Sequence, residues 1–300
     1  MRTGLPLLPA PFLLLPLLLL AGGARAQAVF HQDEVLASDR PEAWAMRRAA
    51  ATTLMTPFGA DRLASGRWAF ALDLGHVPQL DADQRRVGFN GTKLEDLNKT
   101  SVFGRLRARV GLPHGWQAEL GYTPPLLVDG TRPHNLVAAA IGRDWDFDRF
   151  RLAARLVGQH GGVDGDITCP AELAGVDDPV RNPFGCQAAS HDRVSLNYYG
   201  TDLAAGWQAG RWRWHATGGV VRSELQVQVD AITFDVRDRS RLVANGWMRW
   251  FALGVRRELS THWDLGAEVL YVPLQVQRPG EDGDNEPLTS VRVQLRYQPD

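Results

Sequence analysis

Beyond residue 26 the sequence lacks any apolar run near the roughly 18 residues that a membrane-spanning helix needs. That excludes a bundle of transmembrane helices. It leaves a closed β-barrel open, because barrel strands alternate outward and inward side chains and their hydropathy averages out. A mean hydropathy of −0.23 fits a soluble domain or such a barrel equally well. Methionine (4) and cysteine (2) are both scarce. With no CxxC pair and no Cys/His grouping at ligand spacing, the sequence offers neither a zinc site nor dithiol redox chemistry, and no cofactor is expected. An excess of one charge is missing too: 33 Lys and Arg stand against 34 Asp and Glu. There is thus no basic footprint for nucleic acid.

What is present starts at the amino terminus. Met1 and Arg2 give a positive start, residues 5–20 are almost wholly Leu and Pro, and Ala24-Arg25-Ala26 offers a small-x-small cleavage site. This is the layout of a secretory signal peptide, 1–26, with a mature chain starting near Gln27. A retained helical anchor is the rival. Pro6, Pro9, Pro11 and Pro16 speak against it, since interior prolines remove helix hydrogen bonds. In an exported chain, Cys169 and Cys186 are expected to form one disulfide that staples a loop.

From about residue 65, period-two alternation dominates. Trp116, Ala118, Leu120 and Tyr122 oppose Gln117, Glu119, Gly121 and Thr123. Trp263, Leu265, Ala267, Val269 and Tyr271 oppose Asp264, Gly266 and Glu268. Weaker segments bring the total to about ten strands, near 66–75, 100–112, 115–124, 134–143, 148–159, 191–207, 211–228, 240–256, 262–274 and 288–298. The alternation slips near Gly200 and at Gly218-Gly219, the signature of a bulge or of a strand leaving a membrane.

Short connections, such as Pro113-His114-Gly115 and Gln208 to Gly210, alternate along the series with long ones at 76–99, 125–133, 160–190, 229–239 and 275–287. Barrels of the outer membrane do this, with short turns on the periplasmic side and long loops outside. Trp68, Trp116, Phe150, Trp207, Trp212, Trp263 and Tyr297 lie at strand ends beside short turns or chain ends, as an interfacial aromatic girdle requires. Tyr122, Tyr198 and Tyr271 are expected towards the opposite rim.

On these features residues 66–298 resemble bacterial outer-membrane β-barrels as a class, without a match to one characterised family. The resemblance implies an all-β fold, an antiparallel up-and-down transmembrane barrel filling residues 65–300. It also implies residence in the outer membrane of a Gram-negative cell, contact with outer-membrane lipid and lipopolysaccharide, and insertion by the barrel assembly machinery. One departure is that Tyr297 precedes Gln298-Pro299-Asp300 instead of ending the chain.

Residues 27–64 carry a short helical segment from Ala43 to Met55, with Asp39 as the expected N-cap and Pro41 in the first turn. A solvated periplasmic helix, a lumen plug and a lid below the pore are all compatible with it.

Inward positions are rich in arginine. Arg105, Arg107, Arg109, Arg149, Arg151, Arg155, Arg211, Arg213, Arg292 and Arg296, with His215, Glu119 and Glu268, are the candidate lumen lining. A cationic lumen favours anions, so the leading expectation is a narrow channel or transporter for a small, anionic solute. The alternative is a sealed barrel, structural or adhesive, in which the same arginines pair with carboxylates; ten strands enclose little more than side chains. An outer-rim hydrolase built on His191, Asp192, Ser190 or His160 is the third reading. No catalytic motif supports it, and alternation turns His191 away from Asp192.

Overall fold

A computed structural model describes residues 28–300; the expected signal peptide lies outside the described residues. Ten strands close a barrel: β1 (Trp68–His76), β2 (Val102–Gly111), β3 (Trp116–Tyr122), β4 (Arg132–Phe147), β5 (Phe150–Gly165), β6 (Asp192–Ala209), β7 (Trp212–Gln228), β8 (Arg241–Glu258), β9 (Trp263–Val272) and β10 (Leu288–Tyr297). Each pairs antiparallel with its sequence neighbours, and β10 pairs with β1 from Arg292↔Gly75 to Tyr297↔Phe70, which closes the ring. The expected ten-stranded, up-and-down barrel is therefore the fold. Short turns at 112–115, 148–149, 210–211 and 259–262 gather at one end, and the long loops gather at the other, here termed the rim.

The wall is uneven in height. β1, β9 and β10 have 9, 10 and 10 residues, whereas β4 to β8 run to 16–18. A transmembrane strand needs about 9–11 residues, so the long strands rise well past any bilayer on the rim side. On β9 the outward side chains of Trp263, Leu265, Val269 and Tyr271 are all exposed, and an apolar belt of this kind continues round the ring. A water-soluble domain rarely leaves so much contiguous apolar surface uncovered.

The slips in alternation are not bulges. β6 and β7 pair without interruption through Gly200↔Val221 and Leu203↔Gly218. What changes is which face is apolar. Near the turns β6 presents Leu203 and Trp207 outward and Asp202 inward; towards the rim it presents Arg193 and Asn197 outward and buries Val194, Leu196 and Tyr198. At membrane level the outside is lipid and the inside polar. Above it the outside is water, and the inside has become an ordinary apolar core. Tyr198, expected at the exposed outer rim, is for this reason buried in that core.

The core forms around the amino-terminal segment. Ala28–Phe30 pairs in parallel with Val236–Asp238, and Asp33–Val35 with the rim end of β8, so the described chain begins at the rim. Helix α1 (Pro41–Thr52) then descends inside the wall. Residues 53–63 continue through the lumen to the turn end, where Gly66 N–H donates to Gly111 C=O (2.8 Å) just before β1. A Cβ at Gly111 would sit 2.2 Å from the Ala64 carbonyl, so this crossing admits only glycine.

The helix forms because Pro41 opens it, Glu42 sits in its first turn and an alanine-rich run follows. Asp39 does not cap it. Arg40 occupies the cap position with its side chain bonded to Glu34 and Glu42 and not capping the helix, and the Asp39 carbonyl accepts from Gln277 N–H at 2.7 Å. Twelve residues are marginal as an isolated helix. Burial decides the matter: Trp44, Ala43, Ala50 and Ala51 are fully enclosed, with Met46, Leu54 and Met55 nearly so. Each large side chain contributes about 1.5–3 kcal/mol. Most of the helix is therefore enclosed by the wall, on the rim side of the barrel.

Candidate functional site

The lumen is occupied from rim to turns by the chain itself, and its side chains are arranged about that passage. Residues 53–63 are not helical, so their carbonyls need donors from elsewhere. Arginines supply donors to four of them. Arg292 donates to the carbonyls of Leu54 (2.5 Å), Ala51 (3.0 Å) and Thr52 (3.1 Å), closing the carboxyl end of α1 with a cation. Arg155 donates to Met55 C=O (2.9 Å), Arg109 to Pro57 C=O (3.2 Å) and Arg256 to Phe58 C=O (3.0 Å). Met55 N–H in turn donates to the Tyr198 hydroxyl at 2.8 Å. At Gly59 the backbone turns with φ +96°, and a Cβ there would press on the His215 ring at 3.1 Å.

Three carboxylates organise the charges. Glu119 on β3 accepts from Arg107 (2.7 Å) and Arg155 (2.8 Å) and lies 3.4 Å from Arg109; Arg107 also reaches Asp73 at 2.8 Å. Glu268 on β9 accepts from the Thr56 hydroxyl (2.5 Å) and faces His215 Nε2 at 3.5 Å. The third is Asp61, from the threaded segment. Its carboxylate bonds to Arg296 and Arg213 (2.5 Å) and lies 3.3 Å from Arg151 and 3.8 Å from Arg256. Arg105 donates to Gln159 at 2.5 Å, and Asp202 holds Arg155 through two bonds of 2.9 and 2.8 Å. Two gaps beside residues 57–61 measure only about 10 and 20 Å³, roughly the room of one water each.

Of the residues expected to line the lumen, Arg105, Arg107, Arg109, Glu119, His215, Glu268, Arg292 and Arg296 are enclosed, and Arg151, Arg155 and Arg213 are partly so. Arg149 and Arg211 are not in the lumen. Each is the second residue of a two-residue turn, exposed at the end of the barrel, where strand alternation no longer applies. Trp68, Trp116, Phe150, Trp207, Trp212 and Trp263 are exposed on the outer wall at the turn end; Tyr297 is half-buried, its ring 4.9 Å from that of Trp263.

Sequence reasoning missed Asp61, Asp202 and Arg256. The available signal was the shortage of inward acids beside so many inward arginines, which called for a carboxylate from outside the strands. It also missed the far boundary of the belt, where Tyr199, Arg222 and Trp247 are direct neighbours on β6, β7 and β8, with the Arg222 guanidinium 5.9 Å from the Trp247 ring.

The loops at the rim are packed and tied. Cys169 and Cys186 are bonded, with Cα atoms 5.6 Å apart. Beside them Ser190 Oγ donates to Asp192 (2.7 Å) and accepts Cys169 N–H (3.1 Å), while Asp192 also accepts Thr168 N–H (2.7 Å). This serine and aspartate anchor the loop, and exposed His191 pairs with neither. In the loop after β1, burial pushes the Glu95 carboxyl up to about 7 despite Lys93 at 2.9 Å. Arg237, bonded to Asp230 at 2.7 Å, holds that carboxyl below the usual range.

No family model matches the chain, and no curated protein does. Among solved structures it is similar to Ail, the attachment invasion locus protein of Yersinia pestis, at 9% identity over 78% of this chain and 99% of that one, with a TM-score of 0.30. It is similar to the toluene transporter TodX of Pseudomonas putida at 13% identity over 84% and 71%, with a TM-score of 0.31. Neisserial surface protein A gives 8% identity over 77% and 96%, with a TM-score of 0.27. The barrel assignment rests on the strand pairing and apolar belt described above.

Proposed function

We propose that this protein is a closed barrel of the Gram-negative outer membrane whose working surface is its rim. On this reading it is a structural or ligand-binding surface protein, not a standing pore. One observation carries this: the lumen arginines that an anion pathway would need are committed to the carbonyls of residues 51–58 and to Asp61. A guanidinium already bonded to buried backbone has no cheap way to exchange that partner for a passing solute. The surrounding lipid, the lipopolysaccharide outside and the barrel assembly machinery are the partners such a protein requires. The hydrolase reading finds little support, since Ser190 and Asp192 are spent on the loop.

A gated passage for a small anion is the second reading, favoured by the excess of arginine that withdrawal of residues 53–63 would uncover. Planar-bilayer recording separates the two. The full chain is expected to give no steady conductance, and a variant lacking residues 28–63 is expected to give anion-selective openings. Steady conductance from the full chain would overturn the closed-barrel reading.

A further inference from the structure

Outside the wall, where the tall strands meet the disulfide loop and the 229–240 loop, lies a cleft of about 1040 Å³. That is at the upper end of the roughly 300–1,000 Å³ typical of ligand sites. Its back is one rank of paired residues across the tall strands: Arg132↔Asp164↔Arg193↔Gln228↔Arg241↔Asp33.

The lining holds four aspartates and four arginines, but they are not paired one to one. Asp33 is bonded to Arg241 (2.6 Å), Asp164 to Arg193 (2.7 Å), Asp166 to Lys99 (2.8 Å) and Asp230 to Arg237 (2.7 Å). Arg132 and Arg239 also line the cleft, are exposed, and have no side-chain hydrogen bond or ion pair among the described residues. Each lining acid is thus bonded to a cation, Asp166 to a Lys99 that it shares with Asp96, while the guanidiniums of Arg132 and Arg239 are left without a bonded partner, with His191 beside them. Guanidinium donors suit phosphate and bond it in pairs.

Height selects the source of the phosphate. The rank Tyr199, Arg222 and Trp247 marks the edge of the apolar belt, and Arg193, Gln228 and Arg241 lie six residues further along the same strands. At about 3.3 Å per residue that is roughly 20 Å along the strand, less in height because barrel strands tilt. That level lies above acyl chains and among the sugars of an outer leaflet.

We infer that this cleft is a binding site for a phosphorylated oligosaccharide, the sugar portion of the outer-leaflet glycolipid, held through Arg132 and Arg239. The inference rests on the reading of the rim as the working surface. Its failure is distinguishable, because conductance would sink the closed barrel and leave binding here untouched.

The test is titration of the full chain in detergent with three probes: a deacylated phosphorylated core oligosaccharide, the same oligosaccharide after dephosphorylation, and inorganic phosphate. The phosphorylated sugar should bind at least tenfold more tightly than either other probe and weaken as salt is raised. The double variant Arg132→Gln/Arg239→Gln should lose at least tenfold in affinity. The variant Arg149→Gln/Arg211→Gln, with the same charge change at the turn end, should stay within twofold of wild type. Hydrogen-exchange protection on the unaltered chain should fall on residues 189–193 and 228–241, which keeps the test valid if the double variant misfolds. Equal binding by the rim variant, equal binding of the dephosphorylated sugar, or protection elsewhere would each overturn the inference. Binding of inorganic phosphate as tight as that of the sugar would reduce the cleft to an adventitious anion patch.

Discussion

Asp61, on the segment threaded through the lumen, receives a guanidinium hydrogen bond from Arg296 on the last strand, 235 positions later. The same carboxylate serves Arg213 and Arg151, so one acidic side chain fastens β10, β7 and β5 to the passage at the turn end. Removing one member of a buried ion pair costs about 3–5 kcal/mol, because the remaining charge is left without compensation.

Asp61→Asn is therefore expected to loosen the segment and weaken the barrel by about that amount. Bilayer recording should show intermittent openings that the unaltered chain lacks, and heat-modifiable migration should shift to lower temperature. An Asp61→Asn barrel as silent and as heat-resistant as wild type would show that the four arginines do not depend on it.

Trp44 anchors the rim half of the passage. It is fully enclosed, donates from Nε1 to the Glu286 carbonyl at 3.1 Å, and has the guanidiniums of Arg48 and Arg278 at 5.6 and 5.8 Å from its ring. Trp44→Ala should destabilise the protein by about 3–5 kcal/mol. Protease cleavage within α1 should then become measurable, while the strands below remain protected.

The Cys169–Cys186 bond closes a loop with a sequence separation of 17. A loop of this size contributes about 3 kcal/mol by restricting the unfolded chain. The double Cys→Ala variant should keep its barrel by heat-modifiable migration yet lose protease resistance between residues 166 and 191. Unchanged resistance would mean that the Ser190–Asp192 anchor suffices alone.

Glu95 provides a pH test. Burial raises its carboxyl to about 7 from an ordinary 4.5. The folded loop thus holds a proton that the unfolded loop releases, and its contribution is full below the unfolded value and lost as pH rises through 7. Protease sensitivity of the 77–101 loop should increase between pH 5 and pH 8. Glu95→Gln should flatten that dependence; a profile with the same slope in the variant would assign it to another group.

The wall is written in local patterns of the chain. Alternation, turn chemistry and the regular exchange of short and long connections are local properties, so the ten strands, their order and the exposed tryptophans such as Trp207 and Trp212 were legible from it. Alternation places Arg149 and Arg211 inward, but both fall in two-residue turns, where it no longer applies. What fills the ring is set by long-range contacts. Whether an inward arginine meets solute, carboxylate or backbone depends on partners hundreds of residues away, as with Arg292 and the Leu54 carbonyl or Arg296 and Asp61. The inversion at Gly200 had the same origin: alternation fixes that two faces exist, and the medium on each side of the wall fixes which of them is apolar.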